Sequence, residues 1–201
     1  MLRSSFTKDL IEAGCDEAGR GCLAGPVVAA AVIFPKRYRH KKINDSKQLT
    51  KEEREELRLD IVRDALAWAV AEVDHQEIDK INILNASFKA MHLALDKLQT
   101  RPQLLLIDGN RFKPYSDVRY ECIIKGDGRF LSIAAASILA KTYRDDLMVK
   151  LAGQFPGYSW ETNVGYATEA HRDGIRQIGI SPFHRKSFTL LPQQLELFEE
   201  D

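Results

Sequence analysis

Two short apolar runs that each stop at an acidic residue constrain this chain most. Leu104-Leu105-Leu106-Ile107 shows no polar alternation, so as a strand it must be covered on both faces, and it stops at Asp108-Gly109. Leu10 to Cys15 is a second short apolar and small-residue run, and it stops at Asp16-Glu17. Strands buried on both sides need helices as outer layers, which predicts an α/β protein.

The intervening segments fit that class. A strand is expected over Gly25 to Phe34, joined to the first by a turn at Gly19-Arg20-Gly21, with a polar, basic loop over Lys36 to Lys47. Thr50, with Glu53 at the capping-box position, predicts a helix through Ala65, and a strand is expected over Ala67 to Val73. Phe88, Met91, Leu95 and Leu98 recur at helical spacing within Asn85 to Leu98, and Pro102 blocks continuation. Glu121 to Ile124 reads as a strand and Ile133 to Lys150 as a long helix rich in small residues. A strand meander followed by helix and strand alternation predicts a mixed sheet, with a binding crevice where its central strands end.

The chain has 201 residues and is 44% hydrophobic, enough for a single core. Lys+Arg and Asp+Glu are equal at 29 each, so a nucleic-acid surface must arise from charge distribution and not from a basic excess. Cys15, Cys22 and Cys122 lack CxxC spacing, which suits reduced thiols and predicts no zinc site. The charged N-terminal segment and the lack of a long apolar run predict a cytoplasmic protein without a membrane span. A monomer is expected.

Asp16, Glu17, Asp108 and Asp127 are the chemically suggestive residues. Asp16-Glu17 and Asp108 follow strands, and Asp127 lies in Lys125-Gly126-Asp127-Gly128 before the long helix. Asp beside Gly also suits an ordinary turn, but two adjacent acids gain nothing from turn chemistry. If the acids converge, each close pair repels by roughly 4 kcal/mol at an effective dielectric near 20, and cations must neutralise them. Hard oxygen donors select Mg²⁺ or Mn²⁺, and two such ions can drive phosphodiester hydrolysis without a nucleophilic side chain.

The sequence resembles the bacterial ribonuclease HII family, the type 2 ribonucleases H, over nearly its whole length. The resemblance is carried by Asp16-Glu17-Ala18-Gly19-Arg20-Gly21, Asn44-Asp45-Ser46-Lys47, Ile107-Asp108-Gly109-Asn110, Lys125-Gly126-Asp127 and Ser132 to Lys141 with Arg144-Asp145. Gly165-Tyr166 with Thr168 and His171, and His184 to Phe188, complete it in family order. It implies a ribonuclease H-like fold, a mixed five-stranded sheet flanked by helices with a helical C-terminal part. It also implies cleavage of RNA in RNA–DNA hybrids and at single ribonucleotides in DNA duplexes, leaving 5′-phosphate and 3′-hydroxyl ends. By the resemblance, Asp16, Glu17, Asp108 and Asp127 bind the metals and Gly19-Arg20-Gly21 meets the RNA-to-DNA junction. Tyr166 matches a tyrosine that packs on the sugar after the cut.

Ser46, Lys47, Ser137, Lys141 and Arg185 are expected phosphate contacts, since hydroxyls and cations orient a backbone without reading bases. His171 and His184 are read as structural or phosphate contacts rather than general bases. Cys22 and Thr142-Tyr143 depart slightly from the family pattern. Residues 1–190 are expected to form the catalytic domain and residues 191–201 a tail. Within it, Gln194-Leu195-Glu196-Leu197-Phe198 resembles the peptide by which bacterial proteins dock on the replicative sliding clamp, through Gln194, Leu195, Leu197 and Phe198. An end helix packed on its own domain is the competing reading of that segment. A junction-resolving nuclease would use similar acids, but has no use for Gly19-Arg20-Gly21 beside Tyr166. A binding module without catalysis would not need the four acids.

Overall fold

The computed structural model describes residues 2–191. Its centre is a five-stranded sheet in the order β3-β2-β1-β4-β5, built from β1 (Glu12–Ala18), β2 (Val27–Ile33), β3 (Ala67–Val73), β4 (Leu104–Asp108) and β5 (Arg119–Ile123). The first three strands form an antiparallel meander, and β4 and β5 extend it in parallel. The helices are α1 (Lys51–Asp64), α2 (His75–Ile81), α3 (Ile83–Asp96), α4 (Leu131–Gln154), α5 (Trp160–Asn163) and α6 (Glu169–Ile178). The expected mixed α/β sheet with a helical C-terminal part is what is observed. No helix among the described residues is long and apolar enough to cross a membrane.

Alternation along the strands sorts side chains onto two faces. Ala13, Cys15, Ala29 and Ala31 pack with Ala86, Ala90, Met91 and Ala94 of α3. Ala18, Ala30 and Val32 pack with Ala134, Ala135, Ile138 and Leu139 of α4 and with Leu57 and Ile61 of α1. Small side chains bring α4 close to the sheet, and at Gly14 contact is backbone to backbone: a Cβ there would lie 2.3 Å from the Ser132 carbonyl carbon. Beyond the sheet, buried Trp160 joins Met148 and Leu151 of α4 to Ile175 of α6.

α1 starts as expected, with Thr50 Oγ1 accepting from Glu53 N at 3.2 Å and Glu53 Oε2 accepting from Thr50 N at 2.8 Å. Other boundaries differ from expectation. β1 runs through Asp16 and Glu17 instead of ending before them, because Asp16, Glu17 and Ala18 still pair with Ala30, Ala29 and Val28. α4 extends beyond Ile133 to Lys150 at both ends, stopping just short of Pro156. β5 begins at Arg119, two residues before the expected Glu121, an edge position where exposed polar side chains cost little. α2, not expected as a helix, is capped by the Asp74 carboxylate, which accepts from Glu77 N at 2.8 Å.

Candidate metal centre and nucleic-acid interface

Parallel pairing sets Cys15 level with Ile107, so the next residues of β1 and β4, Asp16 and Asp108, leave neighbouring strands side by side. Asp127 arrives on a short 3₁₀ turn, Gly126–Gly128, preceded by Lys125 in the left-handed region at φ 55°. The Gly126 N–H donates to Asp108 Oδ1 at 2.7 Å and ties that turn to the end of β4. One carboxylate oxygen from each of Asp16, Asp108 and Asp127 then lies within 4.8 Å of the others.

This is a costly arrangement for bare acids. Asp16 and Asp127 are only 6% and 5% exposed. Burial, then the charges of Glu17 and Asp108, hold the Asp16 carboxyl well above the usual carboxylate range. Burial and Asp108 also raise that of Asp127. The trio offers hard oxygen donors, and Cys15, the adjacent thiol, points into the core on the α3 side. Such a donor set fits Mg²⁺ or Mn²⁺ better than zinc. All three cysteines are free.

Glu17 stands outside the trio. It lines the same crevice as Asp16 and Asp108 and accepts from Arg20 Nη1 at 3.0 Å. Burial raises its carboxyl despite the offset from Arg20, and the Asp108 charge adds to the rise.

Asp16, Glu17 and Asp108 open onto a crevice lined also by Gly19, Arg20, Gly21, Ser46, Lys47, Ser137, Lys141 and Tyr166. Lys47 Nζ lies 3.9 Å from Asp127 Oδ2. Ser46 and Ser137 bond each other through their hydroxyls at 2.9 Å, holding the loop before α1 against α4. Tyr166 is 40% exposed, with Lys141 Nζ 5.3 Å from its ring centroid. A Cβ on Gly21 would meet nothing within 4 Å, so the main chain there faces open space. Arg54 also lines the crevice and was not foreseen: its Nη1 donates to the Ser46 and Leu49 carbonyls at 3.0 and 2.7 Å.

Arg185 corrects an expectation. It is 0% exposed, and its guanidinium donates to the carbonyls of Gly25, Arg20 and Pro26, which leaves it no face to offer a phosphate. His171 and His184 are likewise fully buried, which leaves the structural of their two expected roles. His171 Nδ1 donates to the Tyr166 carbonyl at 2.8 Å, so its Nε2 accepts from Trp160 Nε1 at 2.9 Å and from His184 Nε2 at 3.1 Å. His184 Nδ1 in turn accepts from the Ser181 N–H and hydroxyl. Burial, then His171, depress the His184 pKa to about 4, keeping that ring neutral. Gln194, Leu195, Leu197 and Phe198 lie outside the described residues.

The family model described as Ribonuclease HII matches residues 13–191. Ribonuclease HII of Bacteroides fragilis is 62% identical over 201 residues, with all of both chains covered. Among solved structures, the PCNA:RNase HII complex from Archaeoglobus fulgidus is 26% identical at a TM-score of 0.75, covering 92% of this chain and 98% of that one. Ribonuclease H2 from Pyrococcus horikoshii OT3 is 25% identical at a TM-score of 0.74, covering 89% of this chain and 94% of that one. The matched span begins three residues before Asp16 and takes in every residue of the crevice. With identity sustained over its whole length, this chain belongs to the ribonuclease HII family of metal-binding ribonuclease H hydrolases.

Proposed function

We propose that this enzyme, an endonuclease on the RNA of RNA–DNA hybrids, also cuts 5′ of single ribonucleotides embedded in duplex DNA, leaving 5′-phosphate and 3′-hydroxyl ends. The observation that carries this reading is a trio of converging carboxylates, two of which line one crevice with the open main chain at Gly21 and an exposed tyrosine ring. Asp16, Asp108 and Asp127, with Glu17 as a fourth acid, would hold Mg²⁺ or Mn²⁺. Two such ions would supply an acidified water and stabilise the charge on the phosphate and the leaving oxygen.

The chain's own groups select the site of cutting. Main chain at Gly19 to Gly21 can approach a minor groove and bond a 2′-hydroxyl, the group that separates RNA from DNA. Arg20 supplies a charge-assisted phosphate contact, and Lys47 and Lys141 add cations along the backbone track. The Tyr166 ring would pack against the next sugar, where a 2′-hydroxyl would clash. Ribose at one position and deoxyribose at the next is thus the pattern the crevice suits.

A labelled duplex with one ribonucleotide tests this directly. Cutting 5′ of the ribonucleotide is expected with Mg²⁺ and none with EDTA; cutting that ignores EDTA, or that leaves a 3′-phosphate, would reject the reading. Tyr166→Ala should lower the rate on that duplex about 10-fold, the scale of losing an aromatic contact to a nucleotide. An unchanged rate would reject the sugar-packing role.

Residues 1–190 form the catalytic domain of a monomeric cytoplasmic enzyme, and residues 191–201 form a clamp-binding tail whose contacts are Gln194, Leu195, Leu197 and Phe198. The Archaeoglobus fulgidus relative, solved as a complex with PCNA, supports a clamp partner. Deleting residues 194–201 should remove this protein from a sliding-clamp pull-down while leaving cleavage intact; retained capture would exclude the tail as the contact.

A further inference from the structure

We propose that Arg144 and Arg185 are positioning residues that set the gap between the Gly19-Arg20-Gly21 main chain and Tyr166; the inference rests on the substrate reading above. Both side chains are 0% exposed. Arg144 reaches out of α4 and donates to the carbonyls of Pro26, Val164 and Ala24 at 3.0, 2.8 and 3.1 Å. Arg185 donates to those of Gly25, Arg20 and Pro26 at 3.0, 3.0 and 3.1 Å. All these bonds go to main chain, and the two guanidiniums meet on the Pro26 carbonyl.

The bonds join the two walls of the gap. On one wall, Gly19 has φ +94° and lies flat on Arg144: a Cβ there would come 2.0 Å from Arg144 Nε and 2.5 Å from its Cδ. Arg185 holds the Arg20 carbonyl on the same wall. On the other wall, Arg144 holds Val164, left-handed at φ 43°, two residues before Tyr166. The walls also touch directly, through the Leu23 N–H to the Gly165 carbonyl at 2.8 Å and a bridge between Cys22 and Tyr166. Arg144 therefore touches both the surface that would meet a ribose and the one that would meet the next sugar.

Burying two like charges beside each other is unfavourable, and apolar side chains would fill the same space at less cost. What a guanidinium adds is a rigid planar fork that fixes several carbonyls in one plane. A lysine, a point charge on a flexible stem, cannot do that.

The test uses Arg144→Lys and Arg185→Lys, which keep the charge and remove the fork. We expect kcat on a duplex with one embedded ribonucleotide to fall at least about 10-fold further than kcat on a continuous RNA–DNA hybrid. The embedded substrate needs both walls, and the hybrid only the ribose wall. KM and the rise in melting temperature caused by Mg²⁺ should stay near wild type. Equal losses on the two substrates would mean a merely structural role and would overturn the inference. Should either lysine variant fold poorly, Gly19→Ala presses on the same contact from the opposite side and must shift the same substrate ratio; an unshifted ratio overturns the inference equally. Wild-type protein that leaves the embedded ribonucleotide uncut would remove the substrate reading and this inference together, whereas equal losses remove the inference alone.

Discussion

Asp108→Asn should abolish divalent-cation-dependent cleavage, a loss of roughly 10³-fold or more on the scale of removing a central electrostatic group, while the metal-free protein melts higher than wild type. Both effects have one cause. Asp108 sits within 4.8 Å of Asp16 and Asp127, and its charge helps to raise the carboxyls of both. Without a cation that repulsion is a standing cost of the fold; with one, it becomes the ligand field. Asparagine keeps the oxygen that accepts from Gly126 N at 2.7 Å, so the turn carrying Asp127 stays tied to β4. Each kcal/mol of repulsion removed should raise Tm by about 2–4 °C in a protein of this size. The Mg²⁺-dependent stabilisation seen for wild type should shrink in the variant, since ligand binding stabilises only as far as the site still binds. Melting curves with EDTA and with Mg²⁺, beside a cleavage assay, read all three effects. A variant that cuts at the wild-type rate, or melts lower in EDTA than wild type, would remove Asp108 from the metal centre.

How far this centre could be read in advance depended on how local each signal was. The run Leu104 to Ile107 ending on Asp108, and the Thr50 and Glu53 capping box, are complete within a few residues, and the structure has both. Asp16 and Glu17 read as following the end of a strand but are paired strand residues, because the partner that prolongs β1 is β2. The buried role of Arg144 and Arg185 was hidden for a different reason. A lone arginine reads as a solvated charge, and these two are buried only because carbonyls from distant segments converge on them. One clue to Arg144 was present: Ser137, Lys141, Arg144 and Met148 recur at helical spacing and so share a face of α4.

Gly14→Ala should be the most damaging single methyl in the fold. Gly14 pairs with Val32 on one side and Leu106 on the other, so it lies in the middle of the sheet and β1 cannot shift alone. Its added Cβ would lie 2.3 Å from Ser132 C, 2.4 Å from Ile133 N and 2.6 Å from Ser132 O, all main-chain atoms of the first turn of α4. No rotamer relieves that clash. The helix must lift from the sheet, and with it Ser137, whose hydroxyl meets Ser46 at the rim of the crevice. Overpacking of a close-packed core costs about 1–3 kcal/mol, and a clash whose atoms are all main chain belongs at or above the top of that range. The expected fall in Tm is about 6–12 °C, with weaker Mg²⁺-dependent stabilisation because Asp16 is two residues away. Gly153→Ala, on the same helix, supplies the contrast. A Cβ there meets nothing within 4 Å, so the change should stabilise by about 0.5–1 kcal/mol through helix propensity alone. If both variants melt within about 2 °C of wild type, a shift of less than roughly 1 kcal/mol, close approach at Gly14 is not what seats α4 on the sheet.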